Sequence, residues 1–484
     1  MHQYARVSVN IPQLTGLFDY HIPQDLQASI QPGSLVNVPF GKQAVQGIVV
    51  HLLEEPEVPE TREITALIER DPCLTPWQMQ LAQWMAEENL STLAHYLDMM
   101  LPAGLSQHAD VLLKRLEGEI PAGLTPLQGR LLDALKKRGD LRGRQVDSLF
   151  PRTDWRTSLP GLIKSGVVST QPTLSPPTVR PREIRTAQFN APPGWREDPQ
   201  LKLGRSSSTA ADRRRRVLEF LEGEAIPVNV SWVYVGTGAV SADLAFLADA
   251  GLIRLGETEI WRDPLEGLKP VLTTPPMLTP DQQAAWDGIQ SGNKGASNNQ
   301  PNLLVGVTGS GKTEIYLQAT AETLQKGRGV IILVPEISLT PQTVKRFFAR
   351  FPGKVGLIHS RLSPGERYDT WRRIRSGELP IAVGPRSALF APLPDPGLII
   401  IDECHDSSYH QEEFQPHYHT VETAIALSRL TNALLLMGSA TPGVELLHQF
   451  EQDKWNTFTL PKRVLAHREV KPEEGKPSQV HAVY

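Results

Sequence analysis

The chain has 484 residues, room for three or four domains at roughly 100–200 residues each. Its 49 basic and 53 acidic residues give a net charge of −4, which excludes a histone-like polycation but leaves room for a local basic groove. Two cysteines, Cys73 and Cys404, cannot build a four-thiolate zinc site or a disulfide scaffold. The N-terminal MHQYARVSVNIPQ has no apolar signal core, and no run of 18 apolar residues occurs. The expectation is a reduced, cytoplasmic protein with no zinc site and no membrane partner.

Residues 1–105 start as short period-two runs, Tyr4–Val9, Gly16–Tyr20, Gly33–Gly41 and Gln46–Leu52, split by Pro and Gly. This predicts a β-rich domain. A helix follows near 75–90, with Thr75 as N-cap and Pro76 at its first position. Residues 106–180 and 213–265 share a plan: LPGLIKSGVVSTQP and LAFLADAGLIRLGE each end helices in a Gly and short strands. They read as two winged-helix-like units. Between them, 181–212 is rich in Pro, Ser, Thr and Arg and reads as a linker. The Arg213–Arg216 run is either a contact for DNA phosphates or a solvated helix face.

From 270 to 465 the apolar runs at 303–307, 329–334, 397–401 and 433–438 alternate with helical stretches. They predict a RecA-like α/β lobe on a parallel sheet. The overall fold class is therefore multidomain α/β, with a β-rich N-terminus. GVTGSGKT, at 306–313, fits G-x-x-x-x-G-K-[ST] between a strand and a helix. Gly306, Gly309 and Gly311 let backbone N–H groups turn around the β-phosphate of ATP. Lys312 reaches the β- and γ-phosphates, and Thr313 holds Mg²⁺. Asp402 and Glu403 close the run GLIII, on a strand expected beside the phosphate loop. There Asp402 binds Mg²⁺, directly or through water, and Glu403 polarises the attacking water. His405 completes D-E-x-H and is expected to couple to the γ-phosphate or to a glutamine. GSATP, at 438–442, sits where hydroxyls couple nucleotide state to a DNA path.

GVTGSGKTE, DECH and GSATP together resemble superfamily-2 helicases. VPEISLTPQ at 334–342, GPRSALFAPL at 384–393, LTPDQQAAW at 278–286 and PFGK at 39–42 narrow this to the PriA family of bacterial primosomal replication-restart helicases. The resemblance implies a 3′-to-5′ DNA motor for primosome assembly at stalled forks. It implies an N-terminal domain that holds a DNA 3′ end through Phe18, Asp19 and Tyr20. It implies Gln282 as the adenine reader, and Glu336, Thr340, Gln342, Arg386 and Ser387 as single-strand contacts. It also implies an aromatic-rich loop at 406–419 that couples DNA binding to hydrolysis; there Tyr409, Phe414 and Tyr418 read as stacking faces for DNA, the alternative being an ordinary exposed loop. Forked or single-stranded DNA, primosome proteins and single-strand-binding proteins are the implied partners.

The sequence departs from the family at Cys404, Pro385, Thr65 and Val421-Glu422. Only 43 residues follow Thr441, against on the order of 100–150 for a second lobe. The expectation is a chain that binds ATP and forked DNA without unwinding alone, with a disordered tail at 466–484. The alternative is a non-catalytic loading module that binds ATP without productive turnover. A different phosphate-loop enzyme, such as a kinase, is disfavoured by GSATP and DECH.

Overall fold

The computed structural model describes residues 3–11, 14–41, 43–102, 104–106, 109–116, 123–151, 153–174, 177–197, 201–204, 208–267, 275–292, 300–335, 341–412 and 415–464. Lys42 and the segment 466–484 fall outside them. The chain forms two compact units, residues 1–101 with 269–359 and 373–484, and residues 102–268 with 360–372.

The first unit opens on a six-stranded sheet in the order Arg62–Glu63, Phe18–His21, Tyr4–Val9, Gln43–Leu53, Leu35–Phe40, Ala66–Leu67. The alternation read in the sequence sends Ala5, Val7, Val9, Val36 and Val38 into one core with Val49, Ile22 and Ile64. Helix Pro76–Glu88 begins as expected. The Thr75 side chain accepts from Gln78 N–H, and Gln78 returns the contact to Thr75 N–H. This helix then crosses to a distant part of the chain. Trp77 Nε1 donates to Leu393 O and Gln78 Nε2 to Phe390 O, each at 2.8 Å and buried.

The same unit contains a seven-stranded sheet, parallel throughout, in the order Val355–Leu357, Ile381–Gly384, Gly329–Leu333, Pro396–Ile401, Leu434–Ser439, Asn302–Gly306, Asn456–Leu460. The four apolar runs read in the sequence are its central strands. The three others are too short or too polar to be read from periodicity. The central strands are buried on both faces, as their uninterrupted Val, Ile and Leu require.

In the second unit two segments fold alike. Each runs strand, helix, two-residue strand, helix, helix, strand, with its first strand central in a three-stranded sheet. The first copy uses Ala109–Arg115, Leu141–Arg142 and Val168–Leu174, the second Arg182–Phe189, Val228–Asn229 and Ile253–Ile260. Each has its own apolar core. The linker reading of 181–212 is corrected here. REIRTAQF is a full strand, paired over eight residues with Ile253–Ile260 and burying Thr186 and Ala187. The surrounding Pro and Ser masked its period-two pattern. Helix Thr209–Glu222 also starts inside the expected linker. Of the arginine run, Arg213 and Arg214 bond the buried Asp243, while Arg215 and Arg216 are exposed.

Among the described residues no single helix is long and apolar enough to cross a membrane.

Candidate functional site

Strand Asn302–Gly306 turns through residues 307–311 into helix Lys312–Gln325. Ser310 N–H donates to Val307 O at 3.0 Å and closes the turn. Gly311 stands at φ +84°, and a Cβ there would lie 2.1 Å from Gln282 Nε2. Backbone and packing therefore both require glycine. Buried Gln282 bridges two elements: its Oε1 accepts from Thr279 N–H at 2.9 Å and its Nε2 donates to Ser310 O at 3.1 Å. It braces the loop in this state. Lys312, 7% exposed, donates to Gly306 O at 2.8 Å. Its amine lies 3.8 Å from Glu403 Oε1. Gly309 and the half-buried Thr313 flank it.

Asp402 follows strand Pro396–Ile401 and donates its N–H to Leu333 O. Its strand does not adjoin the phosphate-loop strand, as the sequence reading had it: Leu434–Ser439 lies between them. Buried apolar runs carry no information on lateral order. The Tyr316 hydroxyl donates to Asp402 Oδ1 at 3.1 Å, and the Tyr409 hydroxyl to Asp402 O at 2.7 Å. Burial, and then the adjacent Glu403 charge, push the Asp402 carboxyl above the usual range; Lys312 and Tyr316 oppose them. Glu403 has a left-handed backbone, φ +47°, an uncommon state for a side chain this size and one found at functional sites.

From Glu403 a polar path leads away from the loop. His405 Nδ1 is 3.7 Å from Glu403 Oε2 and 2.8 Å from Ser439 Oγ, which in turn accepts from Thr441 N–H at 3.0 Å. Thus Lys312, Glu403, His405 and the hydroxyl of GSATP form one chain of contacts. Cys404 is buried, and burial lifts its thiol to about 12.

The donor set suits a magnesium nucleotide. Among the described residues Ser310 Oγ is buried in the loop with no hydrogen-bond partner, close to the Lys312 amine, whose nearest partner is the neutral Gly306 carbonyl and whose one carboxylate neighbour, Glu403, stands off at 3.8 Å. Two carboxylates and the Thr313 hydroxyl stand at the same end of the sheet.

Tyr316 and Ser310 were not singled out in the sequence. Tyr316 was findable: it lies four residues after Lys312, on the same helix face.

The N-terminal residues are more committed than expected. Phe18 is half-buried and packs edge-on against Phe40, centroids 5.0 Å apart. Asp19 receives two bonds from Arg6 and one from Glu57 N–H. Tyr20 is 4% exposed and donates to Pro39 O, so its ring offers no face for stacking. At the departure Thr65, the hydroxyl donates to Asn37 O.

The aromatic-rich loop is corrected in the same way. Tyr409 is 1% and Tyr418 5% exposed; Tyr418 packs edge-on against Phe390. Both rings are core, and the Tyr409 hydroxyl reaches back to Asp402 O. Arg386 holds the loop, donating to Ser408 O at 3.1 Å and His410 O at 2.7 Å, while Ser387 is exposed. Glu336, Thr340, Phe414 and the side chain of Gln342 lie outside the described residues.

Among the described residues no group of three or more His, Cys, Asp or Glu is arranged to hold a metal ion.

Comparison with known proteins accords with this geometry. Residues 279–450 match the DEAD/DEAH box helicase family, and residues 6–102 match the PriA 3′DNA-binding domain. One segment is thus similar to helicase domains of the DEAD/DEAH class, and another to the 3′DNA-binding domain of the PriA family. Along almost its whole length it is similar to replication restart protein PriA. It is 35% identical over 473 residues to that of Bacillus subtilis, covering 96% of this chain and 56% of the relative. It is 34% identical over 486 residues to that of Synechocystis sp., covering 95% and 55%. The chain spans about half the length of these curated relatives. The motif resemblance to the PriA family is borne out. Among solved structures, RecG bound to a three-way DNA junction matches at 22% identity and TM-score 0.30, covering 40% of this chain and 25% of that one.

Proposed function

We propose that this chain is an ATP-dependent DNA helicase-family protein of replication restart. In this reading the parallel sheet is a RecA-like lobe and the two repeated segments are winged-helix-like duplex binders. The N-terminal sheet receives a DNA 3′ end. The observation that carries the reading is the meeting of Lys312, Asp402, Glu403 and His405 at one end of the parallel sheet, linked onward to Ser439.

Bound Mg-ATP would supply a phosphoanhydride bond for hydrolysis and the charge that these residues lack. Lys312 would then face the β- and γ-phosphates in place of the Gly306 carbonyl, and Thr313 and Asp402 are the residues that would hold the cation. Glu403 orients water, and its contacts to Lys312 and His405 hold its carboxylate over the loop. The His405–Ser439 bond carries the state of Glu403 to Thr441, on the segment read as facing DNA. In the N-terminal sheet, half-buried Phe18 is the ring available to a terminal base, and the Asp19 carboxylate, already bonded by Arg6, would accept from a 3′ hydroxyl. Cytoplasmic location and partnership with primosome and single-strand-binding proteins follow from the same reading.

Nucleotide binding by Lys312→Ala tests the core of this proposal. The variant should bind Mg-ATP at least tenfold more weakly, about 1.4 kcal/mol. Unchanged affinity would refute the ATP site.

A further inference from the structure

The phosphate-loop helix presents two polar side chains to the Asp402–Glu403 pair. Lys312 lies 3.8 Å from Glu403. One turn later, Tyr316 donates its hydroxyl to Asp402 Oδ1 at 3.1 Å. The Tyr316 side chain is 1% exposed. A buried hydroxyl costs free energy unless bonded, and this one is bonded to the carboxylate read as the magnesium ligand.

The contact needs room that a third element provides. Gly438, on strand Leu434–Ser439, faces the hydroxyl. A Cβ at 438 would lie 1.6 Å from the Tyr316 oxygen, 2.9 Å from its Cζ and 3.5 Å from Asp402 Oδ1. No side chain at 438 is compatible with the hydroxyl in its present place. Helix, strand end and neighbouring strand therefore converge on one hydrogen bond.

We propose that Tyr316 is a positioning residue for the magnesium-nucleotide site, and that Gly438 is the gap that admits it. A carboxylate oxygen has more than one acceptor position, so a single donor on Oδ1 fixes the carboxylate plane and leaves lone pairs for a cation. Without that donor Asp402 must find its orientation when the cation arrives, and part of the cation's binding free energy goes into ordering it. The Tyr409 hydroxyl fixes the Asp402 main chain at 2.7 Å, so Tyr316 governs the remaining freedom, rotation of the side chain.

This inference rests on the reading of the phosphate loop as an ATP site. The experiment titrates Mg²⁺ into the full chain with a fluorescent ATP analogue, for wild type, Tyr316→Phe and Gly438→Ala. For Tyr316→Phe the Mg²⁺ midpoint should rise three- to tenfold, while analogue affinity in EDTA stays unchanged. Gly438→Ala, which displaces the hydroxyl, should shift the midpoint in the same direction. In the ligand-free proteins, urea unfolding should show Gly438→Ala costing less in the Tyr316→Phe background, since the 1.6 Å clash is then gone.

A folded Tyr316→Phe with a wild-type Mg²⁺ midpoint overturns the proposal. So does simple additivity in the unfolding cycle. A Tyr316→Phe chain that does not fold also overturns it, because the hydroxyl would then be a structural requirement. If Lys312→Ala leaves analogue binding intact, the ATP reading itself has failed. If Lys312→Ala abolishes binding and Tyr316→Phe changes nothing, only this inference has failed.

Discussion

Arg6 and Asp19 sit opposite each other on adjacent antiparallel strands and form a two-point ion pair. Arg6 Nε donates to Oδ1 at 2.8 Å and Nη2 to Oδ2 at 3.1 Å. The Asp19 carboxylate is 3% exposed, and a third donor, Glu57 N–H, reaches it at 2.8 Å. A residue whose resemblance marks it for a DNA end is thus also a fastener of the sheet.

Asp19→Asn should therefore change stability as well as DNA binding. Arg6 holds the Asp19 carboxyl below the usual range, with the Glu57 N–H also helping. A depressed acid contributes stability above its unfolded pKa, about 4, and loses it as pH falls through the lower folded value. Asp19→Asn should unfold at lower urea at pH 7, by about 1–3 kcal/mol, and its stability should fall less steeply than wild type below pH 4. Parallel acid limbs in urea melts would contradict this.

Phe18 carries the proposed stacking. Phe18→Ala should weaken binding to a fork with a free 3′ end by about 1–3 kcal/mol, and have little effect on a fork whose 3′ end is blocked by phosphate. Fluorescence anisotropy on the two forks decides it. Equal losses on both would mean that Phe18 acts through the sheet rather than the DNA end.

The arginine run divides into two roles. Asp243, 1% exposed, is bonded by both Arg213 and Arg214. Asp243→Ala leaves two partly buried guanidinium groups without their carboxylate and should destabilise the second repeat by about 3 kcal/mol. Arg215→Ala with Arg216→Ala should leave the melting temperature within a degree or two of wild type and weaken duplex binding, more so at low salt. Wild-type duplex affinity and an unchanged salt slope in that double variant would assign these arginines to a solvated face.

His419 gives a pH signature. Burial, with His410 adding, lowers it to about 4. Its Nδ1 accepts from Glu422 N–H, so the ring hydrogen sits on Nε2, 2.8 Å from His410 Nε2. The His410 Nδ1 lies 3.8 Å from Glu412, and Arg386 holds the His410 carbonyl. The native state resists a proton that the unfolded chain accepts near pH 6.5. Stability should therefore decline as pH falls from about 6.5 to 4. His419→Asn, which can still cap the helix, should decline less over that window. Identical slopes in denaturant titrations would exclude His419 as the source.

Much of the architecture could be read in advance where local pattern and tertiary need coincide. GVTGSGKT, the apolar run before Asp402, and Thr75-Pro76 each contain their own structural instruction. What could not be read was lateral. Nothing in residues 434–439 says that this strand lies between the other two. The commitments of Asp19, Tyr409 and Gln282 were equally hidden, because each depends on a partner distant in sequence or on another element. The strand Arg182–Phe189 was missed for the opposite reason: its alternation is clear, but its neighbours advertise a linker.

The two like-folded segments have separate apolar cores, one around Leu131, Trp155 and Leu162, the other around Val217, Val233 and Leu247. The two copies differ on their last helices. Leu159–Lys164 ends in a lysine, whereas Ser241–Asp249 contains no basic residue and two aspartates, one of them spent internally. Amide exchange should therefore resolve two protection classes within residues 109–260, each collapsing on its own.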